Sequence, residues 1–386
     1  MTTPFSPLIL GMMSGTSADG IDVAIVRISE HAELLHFSEH PMPAKIRDAI
    51  LRLAAPGYGE VDNMGGLDKA LGHIYAEVAL AAIKAAGLQT ADIAAIGNHG
   101  QTIRHRPATT YPFSLQIGCA ATIAELTGVT VVSDFRSRDI AAGGEGAPLT
   151  PFAHQQLFAS KQENIAVLNI GGITNITWLG CDGAAAGFDA GPGNMVMDAL
   201  MRKISDGEHG FDNNGQLAAS GSVNAALLEK LMRHPFLQQQ PPKSTGREQF
   251  GDDIVDQILS WPDLSDADRL ATACRFTADS ICSSVRFLPS PPARWLCCGG
   301  GVRNPHLMAL LAQQLAPATV ATTDSADMPP QSVESVSFAL LARQTLLGKT
   351  NTLAAVTGAS RNVCGGRITP GDNWQELLQS IPSWIR

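Results

Sequence analysis

A chain of 386 residues is long enough for two domains with full cores. With 45% hydrophobic and 16% charged residues and a mean hydropathy of +0.05 it reads as globular, and no apolar run is long enough to span a bilayer. The net charge of −9, with only 27 Lys plus Arg, excludes a general nucleic-acid surface, so any phosphate ligand must be met locally.

The seven cysteines include no Cys-x-x-Cys pair and read as small core residues of a reducing compartment, not as a disulfide frame or zinc site. Residues 1–6 lack the basic flank of a signal peptide, and the expected location is cytoplasmic.

Residues 8–22, Leu-Ile-Leu-Gly-Met-Met-Ser-Gly-Thr-Ser-Ala-Asp-Gly-Ile-Asp, run from a short apolar strand through a Gly/Ser/Thr turn into an alternating strand at 21–28, the pattern of a β-hairpin. Gly15 and Gly20 permit backbone angles that residues with a Cβ resist, and successive N–H groups in such a turn make a concave anion site. Taken alone, the pattern is more often that of an ordinary hairpin. A third strand near 33–36, helices near 44–55 and 67–86 and a strand at 93–97 complete one ribonuclease H-like unit of three strands, helix and strand.

The segment 129–134 adds a short apolar strand. After Pro148 a helix leads to Leu168-Asn-Ile-Gly-Gly-Ile-Thr-Asn-Ile-Thr177, where the strand, glycine turn, strand plan begins again. Helices follow near 194–204, 223–234, 267–287, 305–315 and 333–347, with apolar residues at helical spacing such as Ala267, Leu270, Ala271, Cys274 and Ala278. The Pro-rich stretch 238–251 reads as a long loop, and Trp295-Leu-Cys-Cys-Gly-Gly-Gly-Val-Arg-Asn304 is a third glycine turn, leading into a helix. The fold class expected is α/β.

Five positions carry candidate chemistry. Asp189 follows a strand-like stretch at 184–188 and precedes Gly191-Pro-Gly-Asn194, a place from which a carboxylate points into a cleft or caps a helix. Glu334 opens a helix, where an acid is favourable in any case. Arg136 and Arg138, read as alternating residues of an extended segment, suit a carboxylate ligand through paired hydrogen bonds or bridge to Asp134 or Asp139. His99 lies in a glycine-flanked turn with no acid–base partner in view, and the remaining histidines lack metal-ligand spacing.

Met13-Ser-Gly-Thr-Ser-Ala-Asp-Gly-Ile-Asp22, Gly97-Asn-His-Gly-Gln-Thr102, Asp134-Phe-Arg-Ser-Arg-Asp139, Gly146-Ala-Pro-Leu149, Leu168-Asn-Ile-Gly-Gly172, Asp189-Ala-Gly-Pro-Gly-Asn194, Lys243-Ser-Thr-Gly-Arg-Glu248, Cys298-Gly-Gly-Gly-Val-Arg-Asn-Pro305 and Val356-Thr-Gly-Ala359 together resemble the anhydro-N-acetylmuramic acid kinase family, in order along nearly the whole chain. The resemblance implies the actin, hexokinase and heat-shock-protein ATPase superfamily: two ribonuclease H-like domains, 1–135 joined by 351–386 and 136–350, with ATP in an interdomain cleft. It implies ATP contacts at Gly15, Thr16, Ser17, Ala18, Asp19, Gly20, Ile21 and Asp22, and at Gly171 and Gly172 with Thr174 and Asn175. Gly299, Gly300, Gly301 and Asn304 would lie under the adenosine, where a helix start offers N–H donors. Mg2+ is implied with ATP. Many superfamily members open the first turn with an acid, but Gly11, Met12 and Met13 stand there, which leaves Asp19, Asp22 and Asp189 as candidates near the metal.

In the implied substrate, 1,6-anhydro-N-acetylmuramic acid, O6 is tied to C1. Water must attack C1 while O6 takes the γ-phosphoryl group, giving N-acetylmuramic acid 6-phosphate and ADP. The resemblance implies Asp189 as the base, Glu334 as a sugar-binding acid near the reacting carbon, Arg138 on the lactyl carboxylate and His99 at the sugar site. It also implies a homodimer in cell-wall recycling, acting on small molecules with no nucleic-acid or membrane partner. Another sugar kinase or phosphohydrolase of the superfamily is the competing reading, and an ATP-driven clamp or filament protein a more distant one.

Overall fold

In a computed structural model that describes residues 6–55 and 60–385, the strands are β1 Leu8–Ser14, β2 Gly20–Ile28, β3 Ala32–Pro41, β4 Ile93–Arg106, β5 Phe113–Ile117 and β6 Val131–Ser133, then β7 Ile165–Ile170, β8 Ile173–Leu179, β9 Ala185–Pro192, β10 Arg294–Cys298, β11 Thr319–Thr322 and β12 Arg367–Thr369. Residues 1–5, most of the flank read for a signal peptide, lie outside the described residues, as do the side chains of Arg247 and Glu248.

Two sheets share one topology. The first has the order β12-β6-β4-β1-β2-β3, with β5 on β4, and the second has the order β11-β10-β7-β8-β9. In each, three antiparallel strands form a meander, and two further strands add in parallel on the other side of the first strand. That repeated plan is the ribonuclease H-like arrangement expected, and the chain is α/β with two such units. The central strand β7, Ile-Ala-Val-Leu-Asn-Ile, is buried along its whole length, as the interior strand of a covered sheet must be. No helix among the described residues is long and apolar enough to cross a membrane.

The chain divides into Met1–Leu157 with Ser332–Arg386, and Phe158–Gln331. The boundaries expected at 135 and 350 therefore fall at 157 and 331, for two reasons. First, the helix Val333–Leu346, buried on nearly every side, lies directly on β1 and β4: a Cβ at Gly11 would overlap the Ser335 carbonyl oxygen, and one at Gly97 would overlap that of Phe338. Second, the segment after 135 is bound into the same unit, with Arg136 donating to His99 and Asp139 accepting from Thr357. Residues 351–386 join this unit as expected, β12 pairing with β6. Strands β5, β11 and β12 and the helices Ser137–Ala141 and Asp252–Leu259 were not legible in the pattern; the first three are short edge elements.

Candidate active site

In the first unit the turn between β1 and β2 is braced from β4. Ser14 Oγ lies 2.7 Å from Gln101 Oε1 and 2.9 Å from Gly20 O, and Gln101 Nε2 donates to Gly15 O at 3.0 Å. The left-handed residue of the turn is Ala18, φ 53°, and not Gly15 or Gly20 as expected. Ala18 is fully buried and its N–H closes onto Gly15 O at 3.1 Å. Gly20 is required for room: a Cβ there would stand 2.8 Å from His40 O. Thr16 and Asp19 are exposed and Ile21 belongs to the core. Asp19 Oδ1 is gripped by Arg47 through two nitrogens, at 3.0 and 3.1 Å. Asp22, half-buried, faces Met13 across the hairpin.

The same unit assembles a charged cluster from distant segments. His99 on β4 is buried against Phe338, centroids 4.7 Å apart. Its Nε2 accepts from Arg136 at 2.8 Å, so the ring is neutral with the hydrogen on Nδ1, which donates to Gly100 O at 2.8 Å. Burial, then the Arg136 charge, pulls His99 down to about 3. Burial likewise lowers Arg136 to about 10, while the carboxylates of Glu334 and Asp139 act to hold its charge. Arg136 also donates to Gly146 O at 2.8 Å.

The expectation of an extended segment at 134–139 is corrected: Ser137–Ala141 is a short helix, so Arg136 and Arg138 do not point the same way. Arg138 is exposed, whereas Arg136 stands with His99 and Glu334. Asp134 is taken up by Ser137 and Arg367, and Asp139 by Gly146 N–H and Thr357 Oγ1.

In the second unit the Gly171-Gly172 tip joins β7 to β8, and its carbonyls accept the N–H groups of Gly193, Asn194 and Met195, closing the start of the helix Asn194–Ile204. Thr174 is buried with its hydroxyl on Gly191 O, so its side chain serves the sheet. The registers align Asn169, Asn175 and Asp189 across β7, β8 and β9. Asp189 lies within β9 and does not cap the helix, whose N-cap position is Gly193. Its backbone N–H donates to Lys243 O at 3.1 Å, and its Oδ2 accepts from Thr245 N–H at 2.9 Å. The stretch expected as a long loop is thus strapped onto the edge strand.

The glycine turn after β10 makes one 3-10 turn, Gly300–Arg303, with Gly301 packed on Ile170. Asn304 Oδ1 accepts from Leu307 N–H at 3.0 Å at the start of the helix Pro305–Gln314. Of the N–H groups at this helix start, Pro305 has none and that of Leu307 is used by the cap. Among the described residues no three His, Cys, Asp or Glu side chains gather as a metal cage.

The family described as anhydro-N-acetylmuramic acid kinase matches this chain over residues 7–371. A protein of that description from Xanthomonas axonopodis pv. citri is 44% identical, over 95% of this chain and 98% of its own, and one from Vibrio parahaemolyticus is 42% identical, over 92% and 96%. Among solved structures, a ROK family glucokinase from Streptomyces griseus in complex with glucose and AMPPNP aligns at 14% identity and a TM-score of 0.42, over 87% of this chain and 99% of its own. The chain belongs to the anhydro-N-acetylmuramic acid kinase family.

Proposed function

We propose that this chain opens the bridge of 1,6-anhydro-N-acetylmuramic acid with water and phosphorylates O6 from ATP, in murein recycling, with Asp189 as the base. Family membership over nearly the whole chain carries the reaction. Water attacks C1 and gives its proton to Asp189, the C1–O6 bond breaks, and O6 takes the γ-phosphoryl group as the β–γ bridge of ATP breaks. N-acetylmuramic acid 6-phosphate and ADP leave. A base near an attacked carbon must be fixed in plane and direction, and the Thr245 N–H on Oδ2 supports that role for Asp189.

The turn from Gly15 to Asp22, with Thr16, Ser17, Ala18, Asp19, Gly20 and Ile21, is the proposed phosphate contact, largely through main-chain N–H groups, since Ile21 is core and Asp19 is held by Arg47. Gly171, Gly172, Gly299, Gly300, Gly301 and Asn304 are the proposed contacts to the rest of the nucleotide. Magnesium takes one or two carboxylates beside phosphate and water oxygens; with Asp19 held by Arg47, the proposed acid of the first turn is the half-buried Asp22. When bound it neutralises charge on the transferring phosphate. The lactyl carboxylate falls to the Arg136–Arg138 segment; Arg136, braced by His99, is favoured, with Arg138 as the exposed second candidate, and Glu334 meets the sugar beside it. The protein acts in the cytoplasm as a homodimer.

The test is Asp189→Asn with ATP, magnesium and the anhydro-sugar. Loss of the base is expected to lower turnover by about 100-fold or more. Turnover near that of the parent enzyme would remove Asp189 from the mechanism, and a sugar phosphate that keeps its 1,6-bridge would favour an ordinary sugar kinase.

A further inference from the structure

Among the described residues Lys243 is the only buried lysine, and the loop that carries it is otherwise polar and Pro-rich. Its ammonium lies 4.6 Å from the ring centroid of Phe287, 4.7 Å from Phe236 and 5.7 Å from Phe188, and donates to Phe236 O at 3.4 Å. A buried cation is costly unless compensated, and three ring faces with one carbonyl are the compensation here. A methionine would fill such a cage with no charge to bury, so the charge calls for a purpose beyond packing.

That purpose is visible in what the lysine anchors. Phe188 of the cage immediately precedes Asp189 on β9, and β9 is the edge of its sheet. The strap pairs with this edge at one residue: Lys243 O takes the Asp189 N–H, and two residues on, Thr245 N–H binds Asp189 Oδ2. Main chain and carboxylate of one acid are thus held by a segment that carries the caged lysine, the only buried lysine among the described residues. The two charges also sense each other: burial, then Arg286, lowers Lys243 to about 8, and the Asp189 carboxylate opposes that shift.

We propose that Lys243 is a positioning residue for Asp189, its caged ammonium pinning the strap that fixes the plane of the Asp189 carboxylate. The proposal rests on the assignment of Asp189 as the base. Displacing a base by about 1 Å costs on the order of 100-fold in rate, so a lysine that never touches substrate acts on turnover through this strap.

The experiment measures kcat and the KM of both substrates for the parent enzyme, Lys243→Met, Lys243→Arg, Asp189→Asn and the double variant Asp189→Asn/Lys243→Met, with a thermal melt of each. Lys243→Met is expected to lower kcat about 10- to 100-fold while both KM values stay within about threefold. Lys243→Arg recovers part of the loss. In the Asp189→Asn background the methionine costs less than about twofold more, because no base is left to position. A kcat for Lys243→Met within about twofold of the parent, a change confined to KM, or a full loss that persists without Asp189 overturns the proposal. Asp189→Asn at parental turnover instead overturns the base assignment, and the positioning role with it. Should Lys243→Met fail to fold, Thr245→Pro removes the N–H on Oδ2 and leaves the lysine caged; it must reproduce the kcat loss, and unchanged kcat overturns the proposal.

Discussion

Gly11 on β1 and Ser335 on the helix Val333–Leu346 approach so closely that any side chain at position 11 would overlap the Ser335 carbonyl oxygen, with the Ala339 nitrogen 2.8 Å from the same point. This contact leaves no room for a side chain of any kind at position 11, because the helix backbone occupies the space. Gly11→Ala is expected to cost about 3 kcal/mol through overpacking, read as a lower urea midpoint. Gly66→Ala, in open space within the helix Glu60–Ala85, is expected to add about 0.5–1 kcal/mol. A Gly11→Ala protein as stable as the parent would contradict the packing of this helix on the sheet.

The two glycine hairpins, the meanders and the position of Asp189 at the end of an apolar run were legible because strand periodicity is local: β7 alone announces itself by six buried residues and a Gly-Gly tip. The helix Ser137–Ala141 was not, since five residues hold too little of a 3.6-residue period to separate it from an extended segment, and with it went the relation of Arg136 to Arg138. The role of Arg136 depends on His99 and Glu334, which only the tertiary fold brings near. Lys243 was hidden for a similar reason. Its cage is drawn from Phe188, Phe236 and Phe287, while its neighbours in sequence are polar and Pro-rich. In the first turn, glycine was expected to take the left-handed conformation and Ala18 takes it, held by full burial.

Buried histidines set the acid limit of stability. His99 and His154 are both pulled down to about 3, burial being the leading cause in each, from an ordinary value of 6.5. Well above pH 6.5 both are neutral in folded and unfolded chains alike and contribute no pH dependence. Between pH 6.5 and 3 the unfolded chain takes up protons that the folded one refuses, so stability falls as pH falls, with a slope approaching about 1.4 kcal/mol per pH unit for each histidine. Urea midpoints at pH 7, 6 and 5 are expected to decline, and His154→Leu to decline less steeply. Equal slopes for the variant and the parent would show that His154 is not held neutral.

Arg136 and Arg138 make different predictions for the sugar. A charge-assisted pair is worth about 1.5–3 kcal/mol, so Arg136→Met is expected to raise the KM for the anhydro-sugar about 10- to 100-fold and leave the KM for ATP unchanged. Arg136→Lys recovers little, because a point charge cannot both bond to His99 and present a fork to a carboxylate. Arg138→Ala is expected to change the sugar KM by less than about threefold, since its side chain is exposed. Steady-state kinetics with each substrate varied in turn decides the matter, and a large sugar KM in Arg138→Ala with an unaffected Arg136→Met would return the carboxylate contact to Arg138.

Asn304 has a structural duty that must be separated from any contact with the nucleotide. Its Oδ1 caps the helix Pro305–Gln314 through Leu307 N–H, so Asn304→Ala is expected to lose about 1 kcal/mol of stability whatever else the residue does. Asn304→Asp keeps an acceptor of the same shape at the cap and adds a negative charge favourable to a helix start. If Asn304 lies against the nucleotide, that same charge repels the phosphates and removes an amide donor. The expected result is a melt close to the parent with a KM for ATP raised about 3- to 10-fold and an unchanged KM for the sugar. An unchanged KM for ATP in both variants would reduce Asn304 to a helix cap and withdraw it from the ATP site.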